Sequence, residues 1–465
     1  MDLTQYHSYH FIGIGGMGMR ALAGILISKG FSVSGSDISD SPALSEFKNR
    51  GASIYIGHKK ENVKGADAII ISSAIHTDNP EIQEARARNI PIFHRSDLLA
   101  AIFRWGKGVA VAGAHGKSTT SSMIGQIFCS ARMSPTIVLG AAVDYLQGNS
   151  CLGNGEYIIA EADESDGSFL KFNPFLAVVT NVEDDHLDHY GTIENIQNAF
   201  VDFVNNVSFD DGAVLLCTDS EGVKSILPKV RRKVITFGMN EEAEYRAVNK
   251  RYEDRYMLFD VWHKAEFLGT ILLQTPGTHN VKNALAAVVA GLYCGISFSN
   301  IKSALQGFTG VKRRFQTKMR SRDIWIVDDY AHHPTEIEAT LSAAKEEGDH
   351  RVICVFQPHR YSRTNLLKDE FAVAFHDADV LFFTDIYASS ENPIEGVDGH
   401  LIPGLVKQQH PEKEIYYIEN MDKLIQTLYS FVKRGDMLIT MGAGNIYQVG
   451  EKLSGYIKER GLHNG

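Results

Sequence analysis

Short apolar runs rich in β-branched residues alternate with helical patterns along the whole chain. HFIGIG, AIIISSA, GVAVAG, YIIAEAD, LAVVTN, IWIVDD and RVICVF are such runs, and stretches like MRALAGILISKG separate them. This alternation predicts βαβ units, with parallel strands covered by helices. At roughly 150 residues per domain, the 465 residues predict about three α/β domains. Interruptions at WGKG and VKRR place them at 1–106, 107–311 and 312–465.

A glycine-rich loop follows the first strand. Gly13–Gly18 reads G-x-G-x-x-G, and Asp37 ends the next predicted strand, the spacing of a Rossmann-like dinucleotide site. One interpretation is an NAD-dependent oxidoreductase. The same glycines let the backbone approach any diphosphate at a helix N-terminus, so a UDP-sugar satisfies the pattern equally. The loop alone leaves both interpretations open.

A second glycine loop, Gly113–Ser118, ends a buried strand and opens the helix TTSSMIGQIF. The strict P-loop pattern has a further glycine where this chain has Val111, so the loop is a shortened variant. It still brings backbone N–H groups, Lys117 and the Ser118 hydroxyl to a helix N-terminus. In phosphoryl transfer such a lysine contacts the phosphates and such a hydroxyl binds Mg²⁺. We therefore predict a central P-loop-type ATPase domain that uses ATP and Mg²⁺.

Carboxylates follow the next two strands of the central region. The first group is Glu161–Asp166, and the second, Glu183–His189, also contains two histidines. Ligands of open α/β sheets bind at the carboxyl ends of strands, and carboxylate oxygens suit Mg²⁺. Helix capping and solvation explain many such clusters, but two of them after a phosphate loop favour a metal site.

The third region has another doubly wound pattern, which predicts a C-terminal Rossmann-like domain. One of its strands ends in DDYAHHP and the next in QPHRYSR. The forked donors of Arg360 and Arg363 suit a carboxylate, and Asp329 suits a ribose or an ammonium. His332 is the better candidate ligand, because His333 precedes Pro334 and suits a cap position.

Composition excludes several function classes. The 46 Lys and Arg against 56 Asp and Glu leave a net charge of -10, which argues against nucleic acid and anionic membranes and demands local basic residues for an anionic substrate. The five scattered cysteines form no C-x-x-C pair and indicate reduced thiols. The N-terminus resembles no signal peptide, and no apolar stretch is long enough for a membrane span. We expect a cytoplasmic protein.

Nine ordered motifs resemble those of the Mur ligase family of bacterial cell-wall synthesis, in particular the branch that joins L-alanine to UDP-N-acetylmuramate. They are HFIGIGGMGM, AGAHGKSTT, EADESDGSF, TNVEDDHLDHYGT, GTHNVKNALAA, GVKRRFQ, DDYAHHPTE, QPHRYSRT and GAGNIY. The resemblance covers all three regions. It implies a UDP-sugar-binding domain, a central ATP-binding domain, and a C-terminal domain that closes over the nucleotide and admits the amino acid.

The resemblance also implies the roles of individual residues. The catalytic residues would be Lys117, His186 and Arg314, and the Mg²⁺ ligands Ser118, Glu161 and His186. ATP would be bound by residues of three parts of the chain. These are the phosphate-loop residues Gly113, Ala114, His115, Gly116, Lys117, Ser118 and Thr119, then Asn280 and Asn283 near the adenine, and Asp329 at the ribose. Gly15, Gly16, Gly18 and Asp37 would hold the uridine diphosphate, His115 would approach the muramyl group, and Tyr330, His332, Arg360 and Arg363 would form the L-alanine site.

The reaction so implied is ATP-driven amide formation through an acyl phosphate, with ADP and phosphate as products. The implied protein is a bacterial monomer or weak homodimer. The alternatives are a murein-peptide recycling ligase that adds a tripeptide to UDP-N-acetylmuramate, and an NAD-dependent oxidoreductase. EADESDGSF and QPHRYSRT favour the L-alanine branch. The commonest family loop has threonines where this chain has Ala114 and Ser118, so only the second of these hydroxyls is kept.

Overall fold

The computed structural model of the protein describes residues 5–253, 256–321, 323–389 and 391–462. Within these ranges the strands form three sheets, of five, ten and six strands. Helices alternate with the strands in each region, and most strand pairs are parallel. The predicted α/β class is therefore confirmed.

The first sheet is parallel, with the strand order β3-β2-β1-β4-β5. The direction of strand order changes between β1 and β4, which is where ligands of doubly wound sheets bind. Gly30, in a left-handed conformation, ends the helix that follows β1. The elements are β1 Ser8–Ile12, α1 Met17–Lys29, β2 Ser32–Asp37, α2 Pro42–Asn49, β3 Ser53–Ile56, β4 Ala68–Ile71, α3 Pro80–Ala87, β5 Ile92–His94 and α4 Arg95–Phe103.

The second sheet has the order β15-β14-β13-β12-β11-β10-β6-β9-β7-β8. Its strand β6 lies between β9 and β10, so three loops at the carboxyl ends of neighbouring strands meet. The strands are β6 Lys107–Ala112, β7 Thr136–Val143, β8 Gly148–Cys151, β9 Tyr157–Glu161, β10 Leu176–Val179, β11 Ala213–Cys217, β12 Val234–Gly238, β13 Tyr245–Glu253, β14 Tyr256–His263 and β15 Glu266–Leu273. The helices are α5 Lys117–Ser130, α6 Leu187–Tyr190, α7 Ile193–Asn205, α8 Glu221–Ile226, α9 Thr278–Tyr293 and α10 Phe298–Gln306.

The third sheet has the order β16-β17-β21-β18-β19-β20, with only its edge strand β16 antiparallel to its neighbour among the described pairs. Strand β21 separates β17 from β18, so the loops after these three strands emerge side by side. The strands are β16 Gln316–Arg320, β17 Ile324–Asp329, β18 Val352–Phe356, β19 Val380–Phe383, β20 Glu414–Tyr417 and β21 Asp436–Met441. The helices are α11 Pro334–Glu346, α12 Tyr361–Leu366, α13 Lys368–Val373, α14 Leu401–Gln409, α15 Met421–Phe431 and α16 Tyr447–Arg460.

The strands that carry these loops are buried on both faces, as their continuous apolar sequences predict. Every residue of β10, β11, β17, β18 and β21 is buried. Such strands are typical of parallel sheets covered by helices. The site loops therefore start from rigid positions.

Packing divides the chain into two compact units. The first runs up to Asn249 and adds Phe259–Ile271 and Lys282–Phe308, whereas the second comprises Lys250–Leu258, Leu272–Val281 and the described residues from Thr309 onward. The three domains with boundaries near 106 and 311 stay a prediction. No helix in the described part of the chain has the length and apolar character needed to cross a membrane.

Candidate functional site

The first glycine loop is held by the end of strand β2. The N–H groups of Gly13 and Ile14 donate to the Ser36 carbonyl oxygen at 2.8 and 3.0 Å, and the Gly15 N–H donates to Asp37 Oδ2 at 2.8 Å. A Cβ on Gly15 would lie 2.7 Å from that carboxylate oxygen, so only glycine allows this contact. Asp37 thus fixes the loop, and its predicted contact with the uridine diphosphate stays a prediction.

The other two predicted glycines lie at the start of helix α1. Gly16 is the N-cap residue, and its N–H donates to the Gly13 carbonyl at 3.2 Å. A Cβ on Gly18 would lie 3.3 Å from Nη1 of Arg95, a residue that sequence reasoning did not single out. Among the described residues no side chain caps α1. The first-turn N–H groups are those that suit a phosphate.

A fully buried carboxylate, Glu81, supports the strand end that holds this loop. It accepts from Ser36 Oγ at 2.6 Å and from Asn62 Nδ2 at 2.5 Å, and its Oε2 lies 3.2 Å from His58 Nδ1 and 3.7 Å from His10 Nε2. Burial alone would raise the pKa of Glu81, but the contacts with His10, Ser36 and Asn62 outweigh burial and lower the pKa to about 2. Glu81 is therefore ionised inside the domain.

In the second loop, Lys117 has all three of its donors occupied. Its Nζ donates to the carbonyl oxygens of Gly113 at 2.5 Å and Ala114 at 3.2 Å, and to Glu164 Oε1 at 2.6 Å. Burial alone would lower the pKa of Lys117, but the neighbouring carboxylates, chiefly Glu164, outweigh burial and raise it. A charged ammonium thus lies against the second glycine loop, and its predicted contact with the ATP phosphates stays a prediction.

Strand β10 anchors the same loop. The His115 N–H donates to Asn181 Oδ1 at 2.9 Å, and the His115 carbonyl accepts from Thr180 Oγ1 at 2.6 Å and Asn181 Nδ2 at 3.0 Å. A Cβ on Gly113, whose φ is 138°, would lie 2.2 Å from Thr180 Oγ1. The His115 ring pairs with Glu183 at 3.2 Å. The loop conformation is therefore built into the fold.

The two predicted adenine-site asparagines are both buried but bond differently. Asn283 Oδ1 accepts from Thr120 Oγ1 at 3.2 Å. A Cβ on Gly116 would lie only 2.4 Å from the same oxygen. Asn280 Nδ2 donates to the carbonyl oxygen four residues earlier at 2.6 Å. Thr119, also predicted to bind ATP, is buried in the first turn of α5. Asn283 thus supports the phosphate loop, and the adenine contacts stay predictions.

Ser118 and Glu161 form the candidate magnesium pair. Ser118 Oγ lies 3.0 Å from Glu161 Oε2, and Glu161 Oε1 accepts from the Gly140 N–H at 2.5 Å. Octahedral Mg²⁺ with ligands at about 2.1 Å places adjacent oxygens about 3 Å apart, so this pair fits the ion. Burial raises the pKa of Glu161, which a bound cation would counteract.

A larger protein cage for the metal is absent: in the described part of the chain no three His, Cys, Asp or Glu side chains are grouped to hold one. Mg²⁺ commonly takes one or two carboxylates and completes its shell with water and phosphate, so the smaller set suffices. His186 Nε2 lies 3.4 Å from Asp185 Oδ2 and 3.8 Å from Glu164 Oε1. Its predicted metal contact stays a prediction.

Asp329 also fixes a loop. Its two carboxylate oxygens accept from the N–H groups of Phe315 and Ala331, both at 2.7 Å. Burial raises the pKa of Asp329 to about 6 even though Arg314 and these N–H groups act to lower it. Its predicted ribose contact stays a prediction.

One carboxylate organises two of the predicted residues of the C-terminal region. Glu336, in the first turn of α11, accepts from Arg314 Nη1 at 3.0 Å and from the His332 N–H at 3.1 Å. Its Oε2 also lies 3.2 Å from His332 Nδ1, which is 2.9 Å from the Tyr330 carbonyl. Two oxygen acceptors beside Nδ1 assign the ring proton to that atom and leave Nε2 as an acceptor.

His332 belongs to a row of rings. Its ring meets that of His359 at 5.9 Å between centroids, and His359 stacks on Tyr387 at 5.6 Å. Burial lowers the pKa of His332 to about 4 and that of His359 to about 3, with the charge of Arg363 acting in the same direction. Arg363 is half-buried and Arg360 exposed. The structure thus brings Tyr330, His332 and Arg363 together and adds His359.

The sequence analysis assigned no individual role to Arg95, Glu164, Glu336 or His359, although Glu164 belongs to the predicted Glu161–Asp166 group. Glu164, Glu336 and His359 lie inside motifs already quoted, EADESD, DDYAHHPTE and QPHRYSR. Glu164 and His359 each come three residues after a buried strand, whereas Glu336 lies in the first turn of α11. Arg95 follows the short strand β5 and carries no motif of its own.

Comparison with known proteins covers almost the whole chain. Residues 8–105 match the sequence model of the Mur ligase family catalytic domain, 111–291 the Mur ligase middle domain, and 313–444 the Mur ligase glutamate ligase domain. The UDP-N-acetylmuramate–L-alanine ligase of Geotalea uraniireducens is 46% identical over 444 residues, which is 96% of each chain.

Two solved structures share the architecture. The UDP-N-acetylmuramate–alanine ligase MurC of Thermotoga maritima superposes with a TM-score of 0.83 at 29% identity, covering 97% of this chain and 99% of that one. A murein peptide ligase of Psychrobacter arcticus gives 0.71 at 23% identity, covering 97% and 98%. The second likeness shows the fold alone.

Proposed function

The chain belongs to the Mur ligase family, and from that premise we propose that it joins L-alanine to the lactyl carboxylate of UDP-N-acetylmuramate at the expense of ATP, in the synthesis of peptidoglycan precursors. The observation that carries the proposal is the likeness, along nearly the whole length, to relatives named for this reaction. A cytoplasmic bacterial setting, in which the five free cysteines stay reduced, belongs to the same proposal.

A carboxylate is a poor acylating group because neither oxygen leaves readily, and phosphorylation supplies a leaving group. The lactyl carboxylate attacks the γ-phosphate, which releases ADP and forms an acyl phosphate. The L-alanine amine then attacks the acyl carbon, and the tetrahedral intermediate expels phosphate and loses a proton to give the amide. Lys117 lies on the loop that would hold the phosphates, and its charge would stabilise the charge that develops there. The contact of Arg314 with the phosphates is part of this proposal.

Ser118 and Glu161 are the residues that would hold Mg²⁺, supported by their hard oxygen donors and their spacing. The ion, when bound, neutralises charge on the phosphates. Ser118 keeps the hydroxyl of the family loop, and the missing hydroxyl at Ala114 leaves both ligands in place.

Tyr330, His332, Arg360 and Arg363 would bind L-alanine. A half-buried arginine, Arg363, suits the carboxylate of the amino acid. The Nε2 atom of His332, an acceptor held in place by Glu336, suits its amine. Neutral His332 would accept a hydrogen bond from the incoming amine without adding a competing positive charge.

The decisive assay is phosphate release with ATP, Mg²⁺ and UDP-N-acetylmuramate, using L-alanine, glycine, L-serine and the recycling tripeptide in turn. We expect the highest kcat/KM with L-alanine and no release without an amino acid. A preference for the tripeptide would assign the chain to the recycling branch. Absence of release with every acceptor, together with NADH binding in a fluorescence titration, would favour the oxidoreductase.

A further inference from the structure

The turn that carries the paired arginines of the C-terminal region has an unusual backbone. This arginine turn, residues 358–363, follows strand β18, and helix α12 begins within it, directly after Arg360. Arg360 has a φ of 69° and a ψ of 136°, and a residue with a Cβ rarely adopts such a positive φ. A strained conformation of this kind persists only where surrounding contacts impose it. Other parts of the chain must therefore hold the arginine turn.

The two arginines themselves are kept free. In the part of the chain that the structure describes, the guanidinium groups of Arg360 and Arg363 have neither a hydrogen bond nor an ion pair. Both lie near His359: burial is the main reason that the pKa of this ring is lowered to about 3, and the charges of the two arginines act in the same direction. Two unpaired arginines beside one ring suit a carboxylate.

Tyr387, which follows strand β19, holds the first half of the arginine turn. The Arg360 N–H donates to the Tyr387 carbonyl at 2.9 Å, and the Tyr387 N–H donates to the Pro358 carbonyl at 2.9 Å. The Tyr387 ring stacks on His359, with the two ring planes 8° apart. A Cβ on Gly444 would lie 2.7 Å from Tyr387 Cγ, so the ring also packs closely on the loop after β21. The strained residue is thus fixed from the side of β19.

Glu391 holds the second half of the turn. Its Oε2 accepts from the Ser362 N–H at 3.0 Å, and its Oε1 accepts from Ser362 Oγ at 2.6 Å. Arg360, the N-cap residue of α12, supplies no capping side-chain contact. Glu391 therefore satisfies a first-turn N–H that has no partner within the helix. Burial alone would raise the pKa of Glu391, but the contacts with Ser362 and the charge of Arg360 outweigh it and lower the pKa.

The carboxylate of Glu391 does not pair with the arginines. Among the described side chains no ion pair joins Glu391 to Arg360 or Arg363, and both of its oxygens are used by Ser362. One oxygen for each donor of Ser362 fixes the direction of the first helical turn. Glu391 therefore orients the arginine turn and leaves both guanidinium groups available.

We propose that Glu391 is a positioning residue for the amino-acid site: by holding Ser362 it fixes the first turn of α12, and so directs Arg360 and Arg363 towards the carboxylate of the incoming amino acid. The inference rests on the proposed function, because that function supplies the amino acid. Groups that are already oriented lose less conformational entropy when the ligand binds, so the effect of Glu391 should be on affinity for the amino acid.

Steady-state kinetics of phosphate release on the full chain, with each substrate varied in turn, tests the proposal. Glu391→Ala should raise KM for L-alanine about 10-fold, the effect of losing one hydrogen bond to a charged group. The values of kcat and of KM for ATP and UDP-N-acetylmuramate should stay within about three-fold. Glu391→Gln, which keeps one acceptor oxygen, should lie between Glu391→Ala and the wild type.

The sign of the change is informative. Removing a negative charge near two arginines would by itself strengthen their attraction for a carboxylate and lower KM for L-alanine. Only the loss of orientation raises it, if Glu391 does not touch the substrate. A lower or unchanged KM for L-alanine in Glu391→Ala would therefore overturn the proposal.

Two further variants separate positioning from direct contact. Ser362→Ala removes the hydroxyl partner but keeps Glu391, and should raise KM for L-alanine about three-fold. The double variant should be no worse than Glu391→Ala alone, because both changes act through one contact. If Ser362→Ala leaves KM unchanged, or the two effects multiply, Glu391 acts without Ser362 and the proposal is wrong. Glu395→Gln removes an exposed carboxylate four residues further along and should leave every KM unchanged.

The remaining outcomes are equally decisive. Equal increases in KM for all three substrates, together with a lower melting temperature, would show a purely structural role and overturn the proposal. Should Glu391→Ala fail to fold, Glu391→Gln and Ser362→Ala carry the same comparison. Wild-type protein that releases no phosphate with L-alanine would overturn the proposed function itself, before any variant is compared.

Discussion

Replacing Glu81 by glutamine should remove about 3 kcal/mol of stability from the first sheet. Glutamine resembles the protonated carboxyl, so the cost follows from the preference of the fold for the ionised form. The pKa of Glu81 falls from an ordinary 4.5 to about 2 in the folded chain. At about 1.4 kcal/mol per tenfold change in the equilibrium constant, that difference corresponds to about 3 kcal/mol. The side chain of Glu81 is fully buried.

The pH dependence has a definite sign. A carboxyl with a lowered folded-state pKa stabilises the fold above its unfolded pKa and loses that effect as the pH falls. The difference between wild type and Glu81→Gln should therefore stay constant from pH 8 to about 5. It should decrease to about 1.4 kcal/mol at pH 3, between the two pKa values.

Hydrogen exchange measured by mass spectrometry on peptides covering β1 and β2 reports the opening free energy of this sheet alone. Glu84→Gln, one turn further along α3, is the control, because Glu84 forms a surface pair with Arg88 worth about 0.5 kcal/mol or less. Equal protection in the two variants would refute the reasoning. So would a deficit in Glu81→Gln that is unchanged at pH 3.

Three further outcomes are expected. Lys117→Met should lower kcat for phosphate release at least about 1,000-fold while UDP binding, measured by calorimetry, is retained; a loss below tenfold would contradict its role. Glu336→Gln should weaken the interaction with Arg314 and His332 by about 1–3 kcal/mol, which should raise KM for L-alanine and lower kcat with only a small change in melting temperature. Equal KM values in the variant and the wild type would contradict a positioning role. The rings of His332 and His359 should remain neutral at pH 5.5 in imidazole ¹⁵N spectra. Because their folded-state pKa values lie below the unfolded value of about 6.5, the two rings should lower the stability of the fold as the pH falls from 6.5 towards 4. Titration of either ring near pH 6.5 would contradict their burial.

The local parts of the fold and site were predictable. Both glycine loops were found because a strand, a turn and a helix start lie within a few residues of each other. The predicted positions of Lys117 and Ser118 at a helix N-terminus agree with the start of α5. Continuous apolar runs likewise identified the buried strands, since parallel strands covered on both faces have no polar alternation.

Contacts across the sheets could not be predicted in the same way. That Glu164 pairs with Lys117, and that Thr180 and Asn181 hold His115, depends on β6 lying between β9 and β10. Strand order is set by tertiary packing, which no local pattern encodes. For the same reason, motif spacing alone did not reveal that Asp37 bonds the first glycine loop. Nor did it reveal that Asp329 bonds two backbone N–H groups.

The anchored phosphate loop has a consequence for recognition kinetics. Thr180 and Asn181 hold the His115 peptide by three hydrogen bonds, so the loop's shape is selected during folding and does not wait for a nucleotide. Little conformational entropy remains to be lost when a triphosphate arrives, and association should proceed without a slow ordering phase. A rigid phosphate mimic shaped to this loop would meet a preformed receptor, and would not have to induce one.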